Sequence, residues 1–176
     1  KVHLSSHVKE VSGRIGQFHT GILTPISEVA SEHGAIIIAT GGREYKPSEY
    51  LYGAHKSVVT QLELEESISK DEAGFKSIKS VLMIHDVGSR TKERPYCSRV
   101  GSIQAVKNAL RLKEINPTVK VHHLYRDMRT YFLNDVLYQR AQQQDMAFIR
   151  YDEEKGIGVS EDSAGKLAVH FNDIGK

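Results

Sequence analysis

Cysteine is almost missing from this sequence: 176 residues contain one, Cys97, together with no Trp and only four Pro. One thiol cannot build an internal disulfide framework or a Cys-only zinc site. Its scarcity fits a reducing, cytoplasmic setting. An excess of one charge is missing too. Lys and Arg number 24 against 22 Asp and Glu, a net charge of +2. There is no broad basic field, so nucleic acid is not an expected partner. No apolar run is long enough to cross a membrane, and nothing at the N-terminus reads as a signal peptide. The sequence also lacks Gly-x-x-x-x-Gly-Lys-Ser/Thr, His-Glu-x-x-His and an evident nucleophile triad. ATPase and hydrolase readings therefore have no support. What is present, 39% hydrophobic and 26% charged residues, suffices for one ordinary domain or two small lobes. The sequence starts at Lys1 and enters structure almost at once, as expected of a piece cut from a longer polypeptide.

Residues 1–23 alternate loosely through Val2, Leu4, Val8 and Val11, then from Phe18 to Leu23 after Gly13 and Gly16. This predicts two strands joined by a glycine-containing turn. Residues 24–33 are polar and read as a connection. Gly34 to Gly42 is a continuous β-branched run, Ile36-Ile37-Ile38, ending in Ala39-Thr40-Gly41-Gly42. A run without alternation predicts a strand buried on both faces. Its glycines are either a plain turn or a place where a flat ligand comes close to the backbone. Residues 43–56 read as a surface loop. Thr60 with Glu63 is a capping-box pair that opens a helix to about Ser69, and 70–79 read as a linker.

The second lobe has a clearer rhythm. Ser80 to Ile84 is a buried strand, and Asp86 to Arg99 a polar, basic loop. Val100, Ile103, Val106 and Leu110 recur at helical spacing and stop before Asn116-Pro117. Val119 to Tyr125 is a second strand, Leu133 to Ala141 a second helix and Met146 to Arg150 a third strand. Residues 156–159 and 167–171 form a closing hairpin. The fold class is α/β: a Rossmann-like βαβαβ nucleotide domain with an attached smaller β-rich lobe.

Ligands of such folds bind beyond the carboxyl ends of the strands. The loop after the first of these strands carries Gly88, Ser89, Arg90, Lys92, Arg94 and Arg99 and leads into a helix N-terminus. It is either a phosphate site or a solvated basic loop, and it is not a Gly-x-Gly-x-x-Gly fingerprint. The second strand ends in Tyr125-Arg126-Asp127-Met128-Arg129, where an acid can bind a ribose hydroxyl and an Arg a 2′-phosphate. A surface ion pair is the plainer alternative. Cys97 lies among arginines near a helix start, conditions that favour a thiolate, while a lone Cys is more often inert than catalytic. His122 and His123 point to opposite faces of a strand and cannot chelate as neighbours. They read as structural or solvated.

Several of these stretches together resemble one family. Val87 to Arg90, Pro95 to Arg99, Ala105 to Leu110, Leu124 to Tyr131 and Phe148 to Tyr151 are similar to the A subunit of heterodisulfide reductase and its relatives. So are Ala35 to Gly42 with Tyr45-Lys46-Pro47, and Val59 to Glu65. The resemblance covers about Val8 to Asp152. It implies an FAD-containing electron-transfer subunit with a thioredoxin-reductase-like fold, working with other oxidoreductase subunits or ferredoxin-like proteins. On that pattern residues 1–70 are the C-terminal remnant of an FAD-binding domain and 71–176 a pyridine-nucleotide-like domain. Ala39, Thr40, Gly41 and Gly42 match the segment that approaches flavin. Gly88, Ser89, Arg90, Arg126 and Arg129 are the candidates for NAD(P).

Three departures accompany the resemblance. The family's Gly-x-Gly-x-x-Gly for FAD is absent from this chain, as is its ferredoxin-like C-terminal part. A Cys is expected where Asp86 stands and a Cys pair where Gly101-Ser102 stands, so Cys97 is at most a remnant of a cluster ligand set. The nucleotide loop lacks its glycine fingerprint. Expected, then, are FAD in the complete parent, NAD(P) as an open question and no iron–sulfur cluster in this piece. An oligomer is also open, since a fragment exposes apolar surface. The alternative reading is a non-catalytic, degenerate nucleotide-fold module kept for docking partner subunits.

Overall fold

The computed structural model describes residues 1–98 and 100–175. The chain divides into two compact units, Lys1–Arg43 and Glu44–Lys176.

In the first unit β1 (His7–Arg14), β2 (Gln17–Leu23) and β3 (Glu28–His33) form an antiparallel meander in that order. The β1–β2 turn needs its glycines. Gly13 sits at φ +96, and a Cβ there would lie 2.1 Å from the Gln17 carbonyl oxygen. Gly16 sits at φ +90. Only Thr24 to Ser27 turn between β2 and β3, closed by Thr24 N–H donating to Ser27 O at 2.9 Å. The polar segment 28–33, expected as a connection, is therefore a strand. Val29, Ser31 and His33 alternate with exposed residues, and the ladder to β2 overrides the polar composition.

The strand expected at Gly34–Gly42 is not there. Residues 35–47 have no regular structure, and Ile37 and Ile38 are 89% and 83% exposed. A β-branched run becomes a buried strand only when neighbouring strands take its backbone hydrogen bonds. Among the described residues no strand pairs with it.

The second unit holds a parallel sheet, β4 (Ser80–Ile84), β5 (Lys120–Tyr125) and β6 (Ala147–Arg150), in that spatial order. Helix α2 (Gly101–Ile115) connects β4 to β5, and α3 (Asp135–Gln143) connects β5 to β6. This is the βαβαβ unit expected, and the first unit is the β-rich one. The hairpin β7 (Ile157–Glu161) and β8 (Leu167–Phe171) follows. Helix α1 (Gln61–Lys70) begins in a complete capping box: Thr60 Oγ1 accepts from Glu63 N–H, and the Glu63 carboxylate accepts from Thr60 N–H.

The core of this unit joins Leu64 and Ile68 of α1 to Ala105, Val106, Ala109 and Leu112 of α2, and to Met83, Val119 and Val121 at the sheet. Polar ties run alongside. Asn108 Nδ2 donates to Gln61 O at 2.9 Å, and Lys107 pairs with Glu65 at 2.8 Å. The compact units divide at 43/44, and within the second unit α1 buries its apolar face on α2. No helix among the described residues is long and apolar enough to cross a membrane.

Candidate functional site

The carboxyl ends of β4, β5 and β6 gather the polar chemistry of the second unit. β4 runs into His85, whose N–H donates to Leu124 O at 2.9 Å and so extends the ladder by one residue. The His85 side chain is 3% exposed, and its Nε2 lies 2.9 Å from His123 Nδ1. The His123 ring, fully buried, stacks on Phe148 with centroids 4.5 Å apart. Burial lowers both pKa values, from 6.5 to about 4 for His85 and about 3 for His123, where His85 and His122 add to the effect. Both imidazoles are held neutral. In one tautomer pair His85 donates to His123; in the other the roles reverse. Either way one buried ring nitrogen is left as an unpaired donor and one as an unpaired acceptor. They are His85 Nδ1 and His123 Nε2, which find no partner among the described residues.

The loop that follows is tied down by its own arginines. Asp86 and Arg90 adopt φ +57 and Gly88 φ +72. Gly88 packs on Tyr45 so closely that a Cβ would lie 2.1 Å from the ring. Arg94 lies over the same ring, 4.0 Å from its centroid, and donates to Gly88 O at 3.2 Å. Arg90 Nε donates to Cys97 Sγ at 3.0 Å, and the guanidinium pairs with Asp127. Arg126 reaches back from the end of β5 and donates to Asp86 O and Ser89 O, each at 3.2 Å, and to Ser89 Oγ at 3.3 Å. It also pairs with Glu153. Arg150 Nε donates to Arg126 O at 2.9 Å. At the start of α2, Ser98 Oγ accepts from Gly101 N–H at 2.9 Å.

Asp127 is the shared anion. Arg90, Arg129 at 3.5 Å and Arg150 at 3.8 Å surround it, and its carboxyl pKa is lowered, first by the Arg90 hydrogen bond. Asp86 behaves oppositely. Burial raises its pKa against the pull of Arg126, Arg90 and Arg129. Every unpartnered buried side-chain polar atom found among the described residues lies on His85, Asp86, Ser102, His123, Arg126 or Arg129. All six sit at the carboxyl ends of β4 and β5 or in the first turn of α2, where unpaired groups in native proteins mark water, ions or ligands.

The structure thus brings Gly88, Ser89, Arg90 and Arg126 into one knot, with Arg129 joined to it through Asp127 Oδ2 at 3.5 Å. Arg126 is spent on this knot, its side chain 11% exposed, whereas that of Arg129 is 40% exposed. Ala39, Thr40, Gly41 and Gly42 lie in the first unit. Gly41 adopts φ +69, and a Cβ at Gly41 or Gly42 would meet nothing within 4 Å. Arg99 lies outside the described residues. Sequence reasoning missed Tyr45, Arg150, Glu153 and the His85–His123 pair. Parallel register sets Met83 opposite His123, and His85, two residues on and therefore on the same face as Met83, was the available signal for the pair. Nothing comparable marked Tyr45, which is 43 residues before Gly88. No group of three or more His, Cys, Asp or Glu among the described residues could hold a metal ion.

No family model matches the chain. Individual relatives do. The A subunit of the H2:CoB-CoM heterodisulfide,ferredoxin reductase of Methanothermobacter thermautotrophicus is 39% identical over 140 residues, 70% of this chain and 21% of the relative. The A subunit of the H2/formate:CoB-CoM heterodisulfide,ferredoxin reductase of Methanococcus maripaludis is 37% identical over 133 residues, 66% of this chain and 20% of the relative. The first of the iron-sulfur A subunits of CoB–CoM heterodisulfide reductase in Methanopyrus kandleri is 34% identical over 142 residues, 70% of this chain and 21% of the relative. The matched region is homologous to the A subunit of heterodisulfide reductase. The chain spans about a fifth of the length of these curated relatives. The homologous A subunits are parts of oxidoreductases that transfer electrons.

Proposed function

We propose that this chain is a piece of a heterodisulfide-reductase-like A subunit, an FAD-dependent electron-transfer component of an oxidoreductase complex. The observation that carries this reading is 39% identity over 140 residues with such a protein. The bare Ile36–Gly42 segment supports it. It is an apolar, glycine-ended run of strand composition that finds no neighbouring strand among the described residues, as expected if the rest of an FAD-binding domain supplies one. A Cβ at Gly41 or Gly42 would meet nothing within 4 Å, so this backbone is open to approach by a flat ring such as that of FAD. When bound, FAD would supply the centre that accepts and releases electrons. This chain's part would be to present that backbone.

An iron–sulfur cluster does not fit the donors here. Four thiolates are the usual ligand set, and Cys97, the chain's one cysteine, has its sulfur engaged by Arg90. Asp86 and Gly101-Ser102 stand where cysteines are expected, and no step is drawn through a cluster.

A specific observation favours the second reading, a docking module, for the Glu44–Lys176 unit. Gly88 lies under Tyr45 and Arg126 is bound to the loop, so the turn after β4 covers itself instead of opening to a dinucleotide. The basic residues left outward, among them Lys92, would then face acidic surfaces of partner subunits. Purification of the complete protein in complex tests both readings. The flavoprotein reading expects bound flavin and co-eluting redox subunits. Loss of those subunits at high salt, with flavin retained, marks the docking contribution. A complete protein without flavin contradicts the first reading.

A further inference from the structure

We propose that His33 is a positioning residue for the Ala39–Gly42 segment, holding the exit of β3 so that the segment enters the flavin site in one register. This rests on the reading of Ala39–Gly42 as a flavin-facing backbone and adds the side chain that aims it. His33 is the last residue of β3, and the run that follows from Ala35 has no regular structure of its own.

Four contacts argue for it. The His33 ring joins β2 to the start of the run: its Nδ1 lies 2.9 Å from Ala35 O, and its Nε2 lies 2.7 Å from Thr20 Oγ1. A carbonyl oxygen only accepts, so Nδ1 carries the ring hydrogen, and the Nε2 of the neutral ring accepts from the Thr20 hydroxyl. The surroundings therefore select one tautomer. Thr20 is buried on β2, and the ring of Phe18, the cross-strand partner of His33, lies 5.8 Å from the imidazole. The fourth contact fixes the residue between: Gly16 N–H donates to Gly34 O at 2.8 Å. Two successive carbonyls, those of Gly34 and Ala35, are thus bound to the meander before Ile36 begins.

Those bonds matter because an extended run acts as a ruler. Each residue advances it by about 3.3 Å, and successive side chains face opposite sides. A start displaced by one residue would carry Gly41 and Gly42 that far along the run and turn Thr40 to the other face. Among the described residues, no backbone hydrogen bond holds 36–43, so the register is set at Ala35. The backbone groups from Ile36 to Ala39 are left for the strand that the rest of an FAD-binding domain would supply.

The test compares His33→Asn with His33→Gln in the complete protein. Asn places an amide nitrogen where Nδ1 stands and still donates to Ala35 O. Gln places its amide near the position of Nε2 and does not. In FAD titrations of the deflavinated proteins, His33→Asn should bind like the wild type. His33→Gln should bind roughly two- to twelvefold more weakly, the range for one net hydrogen bond. Rescue by Asn but not by Gln separates aiming of the segment from a general loss of packing. Independently of flavin, nitrogen NMR of the 176-residue chain at about pH 8.5, above the ordinary imidazole range, reads the tautomer. The signal that disappears in His33→Asn should be the Nδ1–H form. Equal FAD affinity in the two variants, whether kept or lost, or an Nε2–H ring, overturns the proposal while leaving the flavoprotein reading intact. A wild-type complete protein that takes up no flavin brings down that reading instead, whichever tautomer His33 shows.

Discussion

His85 and His123 show how much a single contact decides. Two neutral imidazoles, 2.9 Å apart and buried, are protonated freely in the unfolded chain and only at a high cost in the folded one. Their folded pKa values, about 4 and about 3, lie below the ordinary 6.5. Below pH 6.5 the unfolded chain therefore binds protons that the folded chain does not, and stability falls as pH drops towards 4. Each group contributes a slope of up to about 1.4 kcal/mol per pH unit. Glu63, with a pKa lowered to about 2 chiefly by Lys46, acts only below its ordinary 4.5. Urea unfolding between pH 6.5 and 4.5 thus isolates the histidines from Glu63. The urea midpoint should fall steadily over that window; a flat profile would show that the pair is not buried and neutral. In the sequence His123 read as structural or solvated, and its partner was not legible. His85 lies 38 residues away, and only strand register brings the two together.

Among the elements, those whose pattern is local were readable and those that depend on a distant neighbour were not. Helix α1 was fixed by Thr60 and Glu63 three residues apart. Replacing Thr60 with Ala removes the acceptor for the Glu63 N–H and should cost about 0.5–2 kcal/mol in urea unfolding, whereas Thr60→Ser should cost little. Helix α2 was legible from its apolar spacing, and Leu112 at its inner face is 1% exposed. Leu112→Ala should cost about 2–5 kcal/mol, measured the same way; a loss below about 1 kcal/mol would mean the helix does not pack as described. The Ile36–Ile38 run failed as a strand prediction for the opposite reason. Its composition states a preference for burial, but composition does not provide the neighbour. Strand β3 failed in the other direction, because pairing with β2 compensates for a polar sequence.

At the scale of the whole molecule the matched region spans about a fifth of the length of its heterodisulfide reductase relatives. The βαβαβ unit was visible in the order of apolar runs, and the family resemblance in stretches such as Leu124–Tyr131. The knot of Arg90, Arg94 and Arg126 was not, since a basic loop reads the same whether its arginines face solvent, phosphate or their own backbone. We propose that the flavin site is shared between Ala39–Gly42 and a part of the protein beyond this chain. The most direct measurement is the visible absorption spectrum after incubation with FAD and gel filtration, taken for this chain and for the complete protein. A colourless chain beside a complete protein with stoichiometric flavin bands is the expected result. Stoichiometric FAD retained by the 176-residue chain would contradict the shared site, and a complete protein without flavin would contradict the flavoprotein reading itself.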